Sequence, residues 1–161
     1  LIPQKGVMTL LQAIAQSAPG TKLQIVGQGE LETAVRNFIT VHKLQDRVIF
    51  HGPLWGQDMK DVMARSRAVV IPSEWYDNLP LIVCQANAAG KPVVVSRING
   101  LPEYVEDGIN GHLFEPGNTD ELSRILDRMG ALPAAKLKEL SRSSRKFAED
   151  RLDYSRHYHL L

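Results

Sequence analysis

The stretch Pro72-Ser73-Glu74-Trp75-Tyr76-Asp77-Asn78-Leu79-Pro80 holds the richest chemistry in the chain. The side chains of Glu74, Asp77 and Asn78 accept hydrogen bonds from hydroxyls, and the two aromatics offer flat faces to rings, as a sugar or nucleotide site requires. The simpler reading of the same residues is a connecting loop whose Trp75 fills a surface groove. Further along, Gln85 interrupts the apolar run from Leu81 to Ala89, and an amide buried in such a run needs partners or a ligand. Lys5-Gly6 opens an amphipathic segment. A helix N-terminus there supplies free N–H groups and a lysine that reaches a phosphate oxygen, although a solvated lysine would look the same. Gly27-Gln28-Gly29 permits either a tight turn or a close approach of backbone to ligand. It lacks the third glycine and the later acidic residue of a dinucleotide fingerprint, which disfavours a nicotinamide cofactor. His51-Gly52-Pro53-Leu54 is a further loop of interest, and a lone histidine such as His51 is more often packed or solvated than catalytic.

Other chemistries find little support. Cys84 is the single cysteine; it has no disulfide partner within the chain, has no basic neighbour in sequence, and reads as a small core residue of a reducing compartment. The five histidines are scattered, and none shows zinc-ligand spacing with cysteines or acids. Neither a Walker phosphate loop nor a Gly-x-Ser-x-Gly elbow is present.

These loops need elements to hold them. Apolar residues recur at helical spacing at Val7, Leu10, Leu11 and Ile14, at Leu31, Val35, Phe38 and Ile39, at Met59, Val62 and Met63, and at Leu122, Ile125, Leu126 and Met129. Short apolar runs lie between them: Leu23 to Val26, Val48 to Phe50, Val69 to Ile71, Val93 to Val95 and His112 to Phe114. Those runs read as strands closed by Gly, Pro or Ser. Their alternation predicts a doubly wound α/β fold, Rossmann-like, with a parallel sheet covered by helices on both faces. Leu81 to Ala89 is apolar nearly all round and reads as a helix wedged in the interior, ended by Gly90-Lys91-Pro92. Asn118 with Glu121 marks the start of another helix, and after Leu132-Pro133 the pattern is helical and charged, a tail spanning 133–161.

With 161 residues, 43% of them hydrophobic and 23% charged, the chain suffices for a single globular domain over 1–161. Nineteen basic against eighteen acidic side chains leave a net charge of +1, so bulk charge predicts neither nucleic acid nor an anionic membrane as partner. Any anion site must be local. No apolar run is long enough to span a bilayer.

Taken together, Pro3-Gln4-Lys5-Gly6, Ile25-Val26-Gly27-Gln28-Gly29, Val48-Ile49-Phe50-His51-Gly52, Pro72 to Leu81, Ala89-Gly90-Lys91-Pro92-Val93-Val94, Asn99-Gly100-Leu101-Pro102-Glu103 and Gly108-Ile109-Asn110-Gly111 resemble the group 1 (family 4) retaining glycosyltransferases. The resemblance covers residues 1 to about 120 and is specific jointly rather than piece by piece. It implies the C-terminal half of a GT-B fold, which binds a UDP- or GDP-linked sugar as substrate and uses no separate cofactor or metal. By position, Lys5 resembles the lysine that neutralises the donor pyrophosphate, and Gly6 follows it. Gly27 and Gly29 resemble the loop bordering the nucleotide, and Leu54 the position whose backbone meets the base. Asn78 belongs to the same donor loop, and the amides of Leu79, Leu81 and Ile82 resemble those facing sugar and phosphate. The family carries two glutamates separated by seven residues where this chain has Asp77 and Gln85. Asp77 keeps a carboxylate one methylene shorter, and Gln85 offers ribose hydroxyls a neutral partner. The resemblance implies catalytic roles for Asp77 and Lys5, with Glu74 an alternative source of the first carboxylate.

Three functional readings follow. The first is the donor-binding domain of a hexosyltransferase in polysaccharide or glycoconjugate biosynthesis, inactive alone because an N-terminal acceptor domain completes the cleft. That reading implies a cytoplasmic protein, held at the inner face of the membrane through its other half. The second is a non-catalytic domain with the same fold and a degenerate acidic motif. The third is another nucleotide-sugar enzyme of the same architecture, such as an epimerase, which would lack the pattern from Trp75 to Gln85. A strand ahead of the first helix, central in the order 3-2-1-4-5-6, is expected upstream of Leu1.

Overall fold

The computed structural model describes residues 1–75 and 81–152. A 3-10 turn at Pro3–Lys5 leads into α1 (Val7–Gln16), followed by β1 (Leu23–Val26), α2 (Glu32–Val41), β2 (Val48–Gly52), α3 (Gly56–Arg65) and β3 (Val69–Ile71). Then come α4 (Leu81–Ala88), β4 (Val93–Ser96), a second 3-10 turn at Leu101–Tyr104, β5 (Gly111–Phe114), α5 (Thr119–Ala131) and α6 (Ala134–Arg151). The strands begin and end within two residues of the apolar runs that predict them. The second 3-10 turn has no counterpart in the periodicity.

All strand pairs are parallel, β1 with β2, β3 with β4 and β4 with β5. β4 shows why helices cover both faces. Val94 packs into the cluster built by α1, α2 and α5, while Val93 and Val95 point the other way, into the cluster containing Val83 and Ala86 of α4. All three valines are fully buried, as period-2 alternation in a two-sided sheet demands. Gly111 is needed at the start of β5 because a Cβ there would overlap the carbonyl oxygen of Val93 on the neighbouring strand.

With the central strand of the order 3-2-1-4-5-6 expected upstream of Leu1, the described strands form two sheets, β1-β2 and β3-β4-β5, that do not hydrogen-bond to each other. Between β1 and β3 runs a groove of about 710 Å³, lined among others by Leu10, Leu23, Val26, Met63, Val70 and Ile82. The groove lies where the order 3-2-1-4-5-6 places its central strand, and the described residues put no strand there.

The far end of the fold, at the amino ends of the strands, is closed by polar side chains on helix and loop carbonyls. Arg47 donates to the carbonyls of Ser17 (3.1 Å), Ala18 (2.9 Å) and Thr21 (3.1 Å) beyond the end of α1. Asp127 of α5 accepts from the Ala18 amide and the Thr21 hydroxyl, both at 2.9 Å. At the start of α5, Asn118 Oδ1 accepts the Glu121 amide at 3.0 Å, as the pair predicts. The Glu121 carboxylate accepts the Glu115 amide at 2.9 Å and the Asn118 side-chain amide at 3.3 Å, while the Asn118 backbone amide donates to the Glu115 carbonyl at 3.0 Å. Replacing Asn118 with alanine is expected to cost about 1 kcal/mol. A lower urea midpoint with unchanged slope would register it.

Candidate functional site

In an open parallel sheet the loops after the strands form the ligand face, and here four chain segments meet on it. The first is the entry to α1. Gly6 adopts φ 64° and ψ 25°, donates to the Pro3 carbonyl at 2.9 Å and accepts from the Leu10 amide at 3.1 Å. Only glycine fits, because the left-handed backbone disfavours a side chain and a Cβ would overlap the carbonyl oxygen of Pro72. The turn therefore seats directly on the loop after β3. Lys5, the last residue of the 3-10 turn, is exposed beside this junction. The first turn of α1 carries no acidic residue of its own, and the Glu74 carboxylate of the loop after β3 sits beside it on the Thr9 hydroxyl.

The second segment follows β1. Gly27 (φ 137°) donates to the Gly52 carbonyl at 2.8 Å, tying the loops after β1 and β2 together. Gly29 (φ 152°) lies against the backbone of Leu1, where a Cβ would overlap it. Leu1 also accepts from the Leu31 amide at 3.1 Å, and its amino group donates to the Gln28 carbonyl. The α1 entry and the glycine loop are thus one assembly. Both glycines have positive φ, and Gly29 lies against the Leu1 backbone, as the turn reading of this loop requires.

After β2, Leu54 is half-buried and Trp55 is 71% exposed in extended backbone just before α3. Sequence reasoning passed over Trp55, although an aromatic next to a strand-end loop was a signal available to it. His51 pairs with Gln24 at 3.0 Å on the exposed surface and has no further role here. Trp75, at 64% exposed, lies on the surface of the loop after β3.

α4 corrects the sequence reading twice. It is not wedged in the interior: Val83, Ala86 and Asn87 are buried, while Leu81 is 67% exposed. Gln85 is exposed as well, so it is not a buried amide in need of partners. It shares Leu81's face, one turn along. The buried amide of this helix is Asn87, whose Nδ2 donates to the Tyr104 carbonyl at 3.2 Å and whose Oδ1 has no partner among the described residues. Ile82, half-buried, packs against the cluster of Ile71 and Val83. Burial pushes the Cys84 thiol above its ordinary value, against the opposing effect of its backbone hydrogen bond, so it stays protonated at neutral pH. Asp77, Asn78 and Leu79 lie outside the described residues, as does the terminal segment from Tyr154 to Leu161. Lys5, Gly6, Gly27, Gly29 and Leu54 stand on the ligand face. So does the start of α4 at Leu81, which follows the loop after β3. The described residues contain no cluster of three or more His, Cys, Asp or Glu side chains suited to a metal ion.

Comparison with known proteins matches this arrangement to one family. The family model described as glycosyl transferases group 1 matches residues 1–147. An exopolysaccharide phosphotransferase of Streptomyces coelicolor is 33% identical over 133 residues, 80% of this chain and 14% of that protein. The UDP-Gal:alpha-D-GlcNAc-diphosphoundecaprenol alpha-1,3-galactosyltransferase of Escherichia coli is 32% identical over 135 residues, 80% of this chain and 34% of that protein. Among solved structures, Anabaena Alr3699/HepE in complex with UDP-glucose superposes with a TM-score of 0.85 at 30% identity, covering 95% of this chain and 43% of that one. The chain spans less than half the length of each of these relatives.

Proposed function

The chain belongs to the group 1 glycosyl transferases, and on that premise we propose that it is the donor-binding domain of a retaining GT-B glycosyltransferase. The parent enzyme moves a sugar from a nucleotide-sugar to a glycan, lipid or other acceptor. One observation carries the reading: the α1 entry bearing Lys5 and the glycine loop after β1 are joined through Leu1 and lie on the ligand face. A relative of the same fold holds UDP-glucose, which supports a nucleotide-sugar as the ligand.

In this reading each residue has a distinct task. Lys5 and the backbone amides at the α1 entry face the diphosphate, where fixed positive charge stabilises the leaving group as the bond to the sugar breaks. Gly27 and Gly29 let the backbone approach the nucleotide, and the Leu54 backbone meets the base. The Leu81 and Ile82 amides, together with that of Leu79, face sugar and phosphate. Asp77 and Asn78 serve sugar hydroxyls. Gln85, exposed on the outer face of α4, bonds the ribose hydroxyls as a neutral partner. No cofactor beyond the donor is required.

The acceptor side belongs to a second domain, so this chain binds donor and does not transfer sugar alone. Among the described residues no helix is long and apolar enough to cross a membrane; association with the inner face of a membrane is assigned to that second domain. A non-catalytic donor-binding domain is the rival reading, motivated by Asp77 and Gln85 where the family has glutamates.

Calorimetry with UDP, GDP and their sugars tests donor binding. One nucleotide series binding one to one supports it, and no binding by folded protein overturns it. Gln85→Glu is expected to tighten nucleotide binding about tenfold, because a hydrogen bond to a charged acceptor exceeds a neutral one by about 1 kcal/mol or more. Restoring glutamate at both positions in the full-length protein then separates the two readings. A large gain in transfer marks a decayed site, and high activity already present in the parent marks an enzyme.

A further inference from the structure

Glu74 touches the α1 entry on both sides of Lys5-Gly6. Its backbone amide donates to the Gln4 carbonyl at 2.8 Å, and its carboxylate accepts the hydroxyl of Thr9, a residue of α1 that is only 8% exposed. The same carboxylate lies 3.2 Å from where a Cβ of Gly6 would stand, and the Pro72 carbonyl fills the rest of that space. A single residue of the loop after β3 therefore brackets the two residues assigned to the diphosphate.

This bracket matters because it ties the α1 entry directly to the loop that leads into α4, through one backbone and one side-chain hydrogen bond. Resting on the donor-site reading above, we propose that Glu74 is a positioning residue: it clamps the α1 entry to the loop after β3, so that Lys5 and the start of α4 meet the diphosphate in one geometry. The clamp gives Glu74 a task other than accepting a sugar hydroxyl. Electrostatic stabilisation of a diphosphate depends on such preset geometry, since a site that must reorganise loses affinity and rate together.

The test uses this chain with UDP and GDP, taking whichever the wild type binds, and the corresponding nucleotide-sugar. Glu74→Ala and Thr9→Val are each expected to weaken the nucleotide about tenfold, the scale of one hydrogen bond to a charged group. The double variant should lose about tenfold as well and not a hundredfold, because both changes break one interaction. Glu74→Gln and Thr9→Ser keep an acceptor and a donor, and both should remain within about twofold of wild type. Nucleotide and nucleotide-sugar should fall by the same factor. A loss confined to the nucleotide-sugar assigns Glu74 to a sugar hydroxyl and overturns the proposal, as do additive losses or no loss.

Hydrogen exchange on ligand-free protein reports the clamp independently. Faster exchange at the first turn of α1 in Glu74→Ala, with α5 unchanged, supports it. Unchanged exchange alongside intact wild-type binding contradicts the clamp alone, whereas a folded wild type that binds neither nucleotide contradicts the donor site itself. Should Glu74→Ala fail to fold, the near-isosteric Thr9→Val and its rescue by Thr9→Ser decide the matter.

Discussion

Gly6→Ala is expected to lower the stability of the domain by about 3 kcal/mol, the sum of a left-handed alanine and an overpacked contact. The two costs have separate origins. At φ 64° any Cβ strains its own backbone, and this one would also overlap the Pro72 carbonyl oxygen. That oxygen belongs to the main chain of a buried residue and cannot rotate away as a side chain would. Either α1 or the loop after β3 must shift, and both carry residues assigned to the donor. Nucleotide affinity should therefore fall with stability. Gly20→Ala supplies the control, since a Cβ at Gly20 meets open space and the change should stay within about 0.5 kcal/mol. Urea unfolding of the two variants side by side checks the account. A Gly6→Ala protein as stable as Gly20→Ala would contradict the junction described above.

Lys5→Ala should leave the fold nearly intact and weaken nucleoside diphosphate binding about 10- to 100-fold, the range of a charge-assisted hydrogen bond. Lys5 is exposed at the end of a 3-10 turn, where a surface side-chain interaction contributes about 0–1 kcal/mol, so stability should move by less than about 1 kcal/mol. The loss should track phosphate charge: large for the diphosphate, absent for the nucleoside, and smaller at high salt. Calorimetry at two ionic strengths separates this from general disruption. Equal losses for nucleoside and diphosphate would remove Lys5 from the phosphate and return it to the role of a solvated lysine.

What the sequence revealed follows from which interactions are local. The runs Leu23 to Val26 and Val69 to Ile71 match strand boundaries residue for residue, because apolar residues closed by Gly or Pro leave little choice of ends. α1 and α5 were legible for the same reason, each carrying a stripe that the structure buries. α4 was not. Gln85 and Asn87 stand two residues apart on a helix, which places them on opposite sides, and an apolar background gives no period to say which faces inward. The Tyr104 carbonyl, seventeen residues away, decides in favour of Asn87. The gap between β1 and β3 was legible as well, because the order 3-2-1-4-5-6 puts its central strand there and the apolar runs supply none.

The candidate site divides along the same line. Lys5, Gly6, Gly27 and Gly29 could be picked out because phosphate chemistry and positive φ leave marks at single positions. The contact from Glu74 to Thr9 joins residues 65 apart in sequence, and nothing in either residue announces the other.

An amide-shift titration of this chain with UDP- and GDP-sugars measures the central claim most directly, because it locates the ligand as well as detecting it. The account predicts shifts concentrated at Gly6, Gly27, Gly29, Leu54, Leu81 and Ile82, with the helices α5 and α6 silent. Shifts centred elsewhere, or none in a folded protein at millimolar donor, would contradict it.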